Sequence, residues 1–148
     1  MRYASWTSRV MGLVIDCLIS MSPLLLFFTL SHAFPDAALG RLARFTGSGL
    51  LLCQLLILLL TVYNRHIRAG RTGQSWGRQI ARTRLVDADS GNPVGTVPAL
   101  LHDLAHVVDG VLGGIGFLWP LIDSREQTFA DKLMKTVVIR ASSPAPGA

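Results

Sequence analysis

Two long apolar segments dominate the pattern of hydrophobic and polar positions along the chain. Residues 10–30 contain one charged side chain, Asp16, and residues 47–63 contain none. A helix needs about 20 apolar residues to cross the hydrocarbon core of a bilayer, and the usual range is about 17–25. The pattern therefore predicts two transmembrane helices and an all-α membrane protein.

A third apolar segment, residues 97–122, is interrupted by glycines between positions 110 and 116. Glycine weakens a helix, so this segment is predicted to be a broken element. Strand-like sequences flank it, one at 81–86 followed by a turn, and one at 136–140. A lone strand is unstable, so we expect the two to pair on one side of the membrane. The third element then re-enters the membrane and returns; one continuous span over 100–122 is the alternative.

The chain has 148 residues, half of them hydrophobic, and a formal net charge of +5. This length predicts one domain, and a disordered tail is expected at 142–148. No acid occurs between residues 64 and 86, whereas arginines are frequent there. By the positive-inside rule this region, the strand pair and the N-terminus are expected in the cytoplasm. Its arginines are predicted to meet anionic lipid headgroups: Arg65, Arg68, Arg71 and Arg78.

Asp16 is the first candidate functional residue, because a carboxylate inside a span is costly and marks a functional site by default. It is expected either to exchange protons or to hold a neighbouring helix as a polar contact. Arg9 lies on the same helical face but about 10 Å away along the axis, so the two cannot touch. Each therefore needs another partner.

A second candidate site lies in the sequence HDLAHVVD. His102, His106 and Asp109 follow at i, i+4 and i+7, so they share one helical face. They are candidates for a proton relay, since histidine titrates near neutral pH. A metal site and the polar face of an interfacial helix are the alternatives. Asp103 points to another face and is expected to be solvated.

The sequence contains no pattern typical of an enzyme. No Ser-His-Asp order, paired-carboxylate spacing or cysteine motif in it points to an enzyme. The segment GRTGQSWGR is rich in glycine but lacks the Lys-Ser/Thr ending of a phosphate loop. Its glycines are expected to let the chain pass close to the membrane surface or to another helix. We therefore predict no enzymatic activity, no cofactor and no bound metal. Basic residues beside apolar spans also favour the lipid bilayer over nucleic acid as the partner.

Three ordered blocks of the sequence resemble the RDD family of small bacterial membrane proteins, named for an arginine and two aspartates. The blocks are SRVMGLVID, GQSWGRQIARTRLVDADSGNPV and REQTFADKLMKTVVI. The resemblance covers about residues 5–141 and implies one membrane domain with these bounds. Arg9, Asp16 and Asp131 match the three residues of the name. The LAHVVDG and GFLWPLID sequences are most similar to those of actinobacterial members. His102 departs from the family, since many members have arginine there.

The resemblance implies a multi-pass protein of the bacterial cytoplasmic membrane. For the family it implies transport of some ligand, and monovalent cation/proton exchange for some members. We therefore expect transport of a cation or small solute coupled to protons, by a homo-oligomer. The alternative is a non-catalytic accessory or scaffold subunit bound to a membrane protein partner. Arg9 is expected to pair with Asp131. Asp16 is expected close to this pair, with Arg78 or His106 nearby, as the group that exchanges a proton.

Overall fold

The computed structural model describes residues 2–34 and 46–141. The predicted disordered tail lies outside the described residues, as does most of the loop between the two predicted spans. The chain divides into two compact units. One comprises Met1–Asp16 and Asn64–Ala148, and the other comprises Cys17–Tyr63.

The two predicted membrane helices are confirmed. Helix α1 comprises Trp6–Ala33 and helix α2 comprises Thr46–Thr61. Two stretches are long and apolar enough to cross a membrane, Trp6–Ala33 and Ser48–Thr72. Large apolar side chains along both remain exposed, as in a protein whose solvent there is lipid.

The second membrane helix is longer than the apolar pattern indicates. After α2 the chain continues as a π-helix, Val62–Arg68, and then as α3, Ala69–Thr72. The helix ends at Gly73, whose φ of 78° is a left-handed conformation that glycine adopts without strain. The first arginines of the basic region are therefore helical. They follow directly from the span rather than lying in a loop.

The predicted strand pair is confirmed. After the short helix α4, Trp76–Ile80, strand β1, Thr83–Asp87, pairs antiparallel with β2, Thr136–Arg140. Leu85 lies opposite Val138, and both pack against Ala4 in a small buried core. The N-terminal segment extends this pairing: the amide of Ala4 donates to the carbonyl of Val138 at 2.9 Å. The sequence did not indicate this third segment.

The third apolar segment is broken, as predicted. Helix α5, Thr96–Val111, meets helix α6, Ile115–Leu118, and a 3-10 helix, Trp119–Leu121, at an angle of 107°. Gly113 and Gly114 form the bend with φ of 68° and 80°. Residues with a side chain rarely adopt such angles, so the two glycines allow the chain to turn. Helix α7, Phe129–Leu133, then precedes β2.

Candidate functional site

A cavity of about 500 Å³ lies within the unit formed by Met1–Asp16 and Asn64–Ala148. Part of its wall is apolar, and part carries ionisable groups. All three residues that match the family name contribute to the lining. The ionisable lining residues are Arg9, Asp16, Arg65, Arg78, His102, Asp103, His106 and Asp131.

Arg9 and Asp131 form the predicted pair. Nη1 of Arg9 donates to Oδ2 of Asp131 at 2.6 Å, and the two side chains are 12% and 1% exposed. Nε of Arg9 also donates to the carbonyl of Ala4 at 3.1 Å. This contact ties the start of α1 to α7 and to the segment beside β2. The prediction that Asp131 is the partner of Arg9 is confirmed.

Asp131 accepts more hydrogen bonds than the sequence indicated. Nε2 of His102 lies 2.8 Å from its Oδ1, and the amide of Thr128 donates to its Oδ2 at 3.1 Å in a capping box at the start of α7. Burial raises the pKa of Asp131, but the His102 hydrogen bond and the charge of Arg9 outweigh burial. The pKa of Asp131 is therefore held well below its usual range, and the carboxylate is ionised.

Asp16 is held by neutral donors and lies 2% exposed. Oδ1 accepts from Nδ2 of Asn64 at 2.7 Å and from the amide of Gly77 at 2.8 Å. Oδ2 accepts from the hydroxyl of Ser75 at 2.5 Å. Asp16 thus lines the same cavity as Arg9 and Asp131, but it forms no hydrogen bond or ion pair with either among the described residues.

Gly77 permits this arrangement because α1 and α4 approach closely there. A Cβ atom at Gly77 would lie 2.7 Å from Cγ of Asp16 and would also overlap the carbonyl oxygen of Gly12. The predicted close approach of the glycine-rich segment is confirmed at this position. Asn64 and Ser75 were missed as partners of Asp16. The signal for them was available, since Asn64 is a polar residue immediately after an apolar run.

Asp103 is not solvated as expected. It accepts hydrogen bonds from Nε and Nη2 of Arg65 at 2.8 and 2.9 Å, and both side chains are 18% exposed. The expectation was wrong because it considered α5 alone. Arg65, on the π-helix that follows α2, lies opposite the face of α5 that was expected to be solvated. Its guanidinium therefore pairs with Asp103 on that face.

His102, His106 and Asp109 share a face of α5, but their contacts differ. The rings of His102 and His106 meet edge to face with centroids 4.7 Å apart. Nδ1 of His106 lies 2.6 Å from Oδ2 of Asp109, and its ring stacks on Phe117. Asp109 is buried and also accepts from backbone amides at the start of α7. Within residues 2–34 and 46–141, no group of three ligating side chains has the geometry of a metal site.

The arginines assigned to lipid headgroups divide into two pairs. Arg65 and Arg78 line the cavity, which disfavours a headgroup role at the membrane surface for them. Arg68 donates to the carbonyl of Gln74 and to the side chain of Gln79, and Arg71 is exposed. For Arg68 and Arg71 the headgroup role stays a prediction.

The sequence is similar to known proteins over most of its length. The profile of the RDD family matches residues 3–135. A protein of Mycobacterium leprae (strain TN) called "Proline-rich antigen" is 34% identical over 151 residues, covering 93% of this chain and 61% of that protein. A "Proline-rich antigen homolog" of Mycobacterium tuberculosis (strain ATCC 25618 / H37Rv) is 37% identical over 82 residues, covering 55% of this chain and 34% of that protein.

The chain thus covers less than two thirds of either relative. No solved structure matches it. Both relatives are mycobacterial, in agreement with the actinobacterial resemblance of the sequence. Because the family profile extends over most of the sequence and its namesake residues meet at one cavity, the chain belongs to the RDD family.

Proposed function

We propose that this RDD-family membrane protein transports a small solute coupled to protons, without catalysing a chemical reaction, and that the cavity holds the solute. The cavity is the observation that carries the proposal. Small-ligand sites are concave, about 300–1,000 Å³ in volume, and combine apolar walls with a few polar groups. The cavity has that size and that combination.

We assign proton exchange to His106 rather than to Asp16. Asp16 is 2% exposed, and its two oxygens accept from neutral donors on Asn64, Ser75 and Gly77, all of which lie outside α1. This favours the role of Asp16 as a polar contact between helices. His106 lines the cavity, is 27% exposed, and has a carboxylate at one ring nitrogen. Histidine titrates in the range where a proton-coupled carrier works.

We place the N-terminus and the strand pair in the cytoplasm of a bacterium and the broken α5–α6 element as a re-entrant loop in its cytoplasmic membrane. The support is topological: β1 precedes α5, β2 follows α6, and the two strands are hydrogen-bonded to each other. Paired strands lie on one side of a membrane. Irregular backbone at membrane depth is tolerated where protein buries it.

Cysteine labelling tests this topology. In a Cys17→Ser/Cys53→Ser background, Ser90→Cys and Ser124→Cys place exposed thiols before and after the broken element. We expect a membrane-impermeant maleimide to label both positions from the cytoplasmic side of sealed vesicles. Labelling of the two positions from opposite sides would show that the element crosses the membrane, and would overturn the re-entrant assignment.

The number of spans requires more than one chain for a transport pathway. Only two helices, or three with the bent pair, are long and apolar enough to cross a membrane within the described residues. Too few helices are present to enclose a path alone, so we propose a homo-oligomer. The same observation favours the second candidate function, an accessory or scaffold subunit of a larger membrane complex. A chain that purifies with one large membrane partner, and not as a homo-oligomer, supports that candidate.

Proton flux measures the proposed function directly. The full chain is reconstituted into sealed vesicles with a pH-sensitive dye inside. Gradients of Na⁺, K⁺, small organic anions or a medium-chain carboxylate are imposed, with protein-free vesicles as the baseline. We expect the wild-type chain to move protons with one of these gradients and His106→Gln to lose that flux. His32→Gln is the matched control, since His32 is an exposed histidine near the end of α1.

The outcomes separate the two functions. Flux in the wild type and in His32→Gln, with none in a folded His106→Gln, supports transport and the role of His106. Flux that persists in His106→Gln removes that residue from the mechanism. An absence of flux in the folded wild type under every gradient contradicts transport and leaves the accessory role.

A further inference from the structure

Arg78 is the one charged residue of the cavity lining whose side chain has no partner among the described residues. Its guanidinium forms no hydrogen bond and no ion pair there, although its backbone amide donates to Ser75 and its carbonyl accepts from Thr83. Burial lowers the pKa of Arg78, and the positive charge of Arg65 acts in the same direction, whereas the more distant charges of Asp103, Asp16 and Asp131 act against it. An arginine nevertheless stays protonated in proteins. Arg78 is half-buried. A partly desolvated guanidinium that faces a cavity without a partner is a place for an anion or ordered water.

The carboxylates of the lining are engaged elsewhere. Asp131 binds Arg9 and His102, Asp103 binds Arg65, and Asp16 accepts from three neutral donors. None of them is within ion-pair distance of Arg78 in the described part of the chain. Their negative charges also limit what can enter, because a polyanion would face three carboxylates in one cavity. The lining therefore suits a single negative charge.

The rest of the wall suits an apolar chain. It is formed by Trp6, Val10 and Leu13 of α1, by Phe117 of α6 and by Pro120 of the 3-10 helix. Leu13 and Phe117 are also 45% and 40% exposed, so they reach from the lining to the surface. Both belong to elements that are apolar enough to lie in a membrane. An apolar rim of this kind admits a molecule from the lipid phase.

We infer that the cavity binds a single-chain amphiphile with one carboxylate head group, with the carboxylate on Arg78 and the alkyl chain along the apolar wall. Arginine presents a planar set of donors that matches a carboxylate in bidentate geometry. This inference names the ligand class of the cavity in the proposed function. It rests on that proposal for the site alone and not for transport.

Equilibrium binding tests the inference without any gradient. The full chain in phosphatidylcholine nanodiscs is titrated with radiolabelled dodecanoate, with dodecanol as the uncharged probe of the same chain length and with acetate as the charge without the chain. Empty nanodiscs measure partition into lipid. We expect saturable binding of dodecanoate, at least tenfold weaker binding of dodecanol, and no saturable binding of acetate.

Variants of Arg78 test whether its guanidinium binds the carboxylate of dodecanoate. Loss of a charge-assisted hydrogen bond is expected to weaken dodecanoate binding about tenfold to hundredfold in Arg78→Gln and to leave dodecanol binding unchanged. Arg78→Lys keeps the charge but loses the bidentate geometry, so it should fall between wild type and Arg78→Gln. Arg71→Gln is the matched control, because Arg71 is exposed and does not line the cavity.

Several results would overturn the inference. Equal binding of dodecanoate and dodecanol by the wild type removes the role of the charge, and it does so even if Arg78→Gln fails to fold. Acetate that binds as tightly as dodecanoate shows a site for a soluble anion. If the chain binds no more dodecanoate than empty nanodiscs take up, the cavity is not a site for this amphiphile. Ordered water is then the partner of Arg78. A chain that binds dodecanoate but carries no proton flux would retain this inference and lose the transport function.

Discussion

Removing the charge of either member of the Arg9–Asp131 pair should destabilise the fold. The pair is nearly sealed from water, with Asp131 1% exposed and Arg9 12% exposed, so solvent screens it little. Breaking a buried pair from one side leaves the other charge uncompensated and costs about 3–5 kcal/mol. Asp131→Asn removes one charge with little change in volume, whereas Arg9→Gln removes the other and also shortens the side chain.

The structure also orders the two variants. In Arg9→Gln, Asp131 keeps its bonds from His102 and Thr128, so we expect a loss near 3 kcal/mol, the lower end of the range. In Asp131→Asn, Arg9 keeps only backbone carbonyl acceptors, and His102 loses its anionic partner as well. We therefore expect a loss nearer 5 kcal/mol for Asp131→Asn.

The measurement is a double-mutant cycle on the free energy of unfolding. The chain in mixed micelles is unfolded with increasing SDS, and tryptophan fluorescence and circular dichroism follow the transition. We expect the double variant to lose about 1–3 kcal/mol less than the sum of the single variants. Neutral replacements are preferable to an exchange of the two residues, because an arginine at position 131 would face His102.

Additivity is the result that would refute the reasoning. Single effects that sum to the double effect within about 0.5 kcal/mol would show that the two charges do not stabilise each other. Arg71→Gln serves as the control for loss of a positive charge. Arg71 is exposed, so its effect should stay within about 0.5 kcal/mol.

Three further predictions concern the same unit. The pKa of Asp131 is lower in the folded state than in the unfolded state, so the ionised carboxylate stabilises the fold. This contribution is complete above about pH 4 and is lost as the pH falls further. SDS unfolding from pH 7 to 3 should show the loss in the wild type and not in Asp131→Asn. Gly77→Ala should prevent folding, because the added Cβ atom would lie 2.7 Å from Cγ of Asp16. Gly110→Ala is the control and should be tolerated, because no atom lies within 4 Å of the added Cβ. Gel filtration distinguishes the folded from the aggregated variant. Asn64→Leu removes a donor to a buried carboxylate and should lower the free energy of unfolding by about 1–3 kcal/mol; unchanged stability would contradict the role given to that hydrogen bond.

The sequence was most informative where a local pattern has one structural solution. Long apolar runs predicted α1 and the second membrane helix, and the glycines of the third segment predicted its break. The sequence was least informative about where the second membrane helix ends. The apolar pattern stops near residue 63, but backbone hydrogen bonding continues the helix to Thr72, because polarity alone does not end a helix.

The candidate site was predictable only in part. The partner of Arg9 was found because the helix geometry excluded Asp16 and the family blocks offered Asp131. The donors to Asp16 were not found, since Asn64 and Ser75 are ordinary polar residues far away in sequence. Asp103 was misassigned because the face of a helix shows where a side chain points, and not what stands opposite.

By itself, the sequence determined that the protein is a membrane protein, that its third apolar element is broken, and that its two strands pair. These features follow from hydropathy and backbone preference, which are properties of neighbouring residues. Apart from the Arg9–Asp131 pair, which the family resemblance indicated, only the tertiary structure decided which charges meet. It paired Arg65 with Asp103, surrounded Asp16 with neutral donors and placed Arg78 at the cavity with no carboxylate partner among the described residues. The free energy of a buried charge depends on groups within a few ångströms in space, and these are distant along the chain.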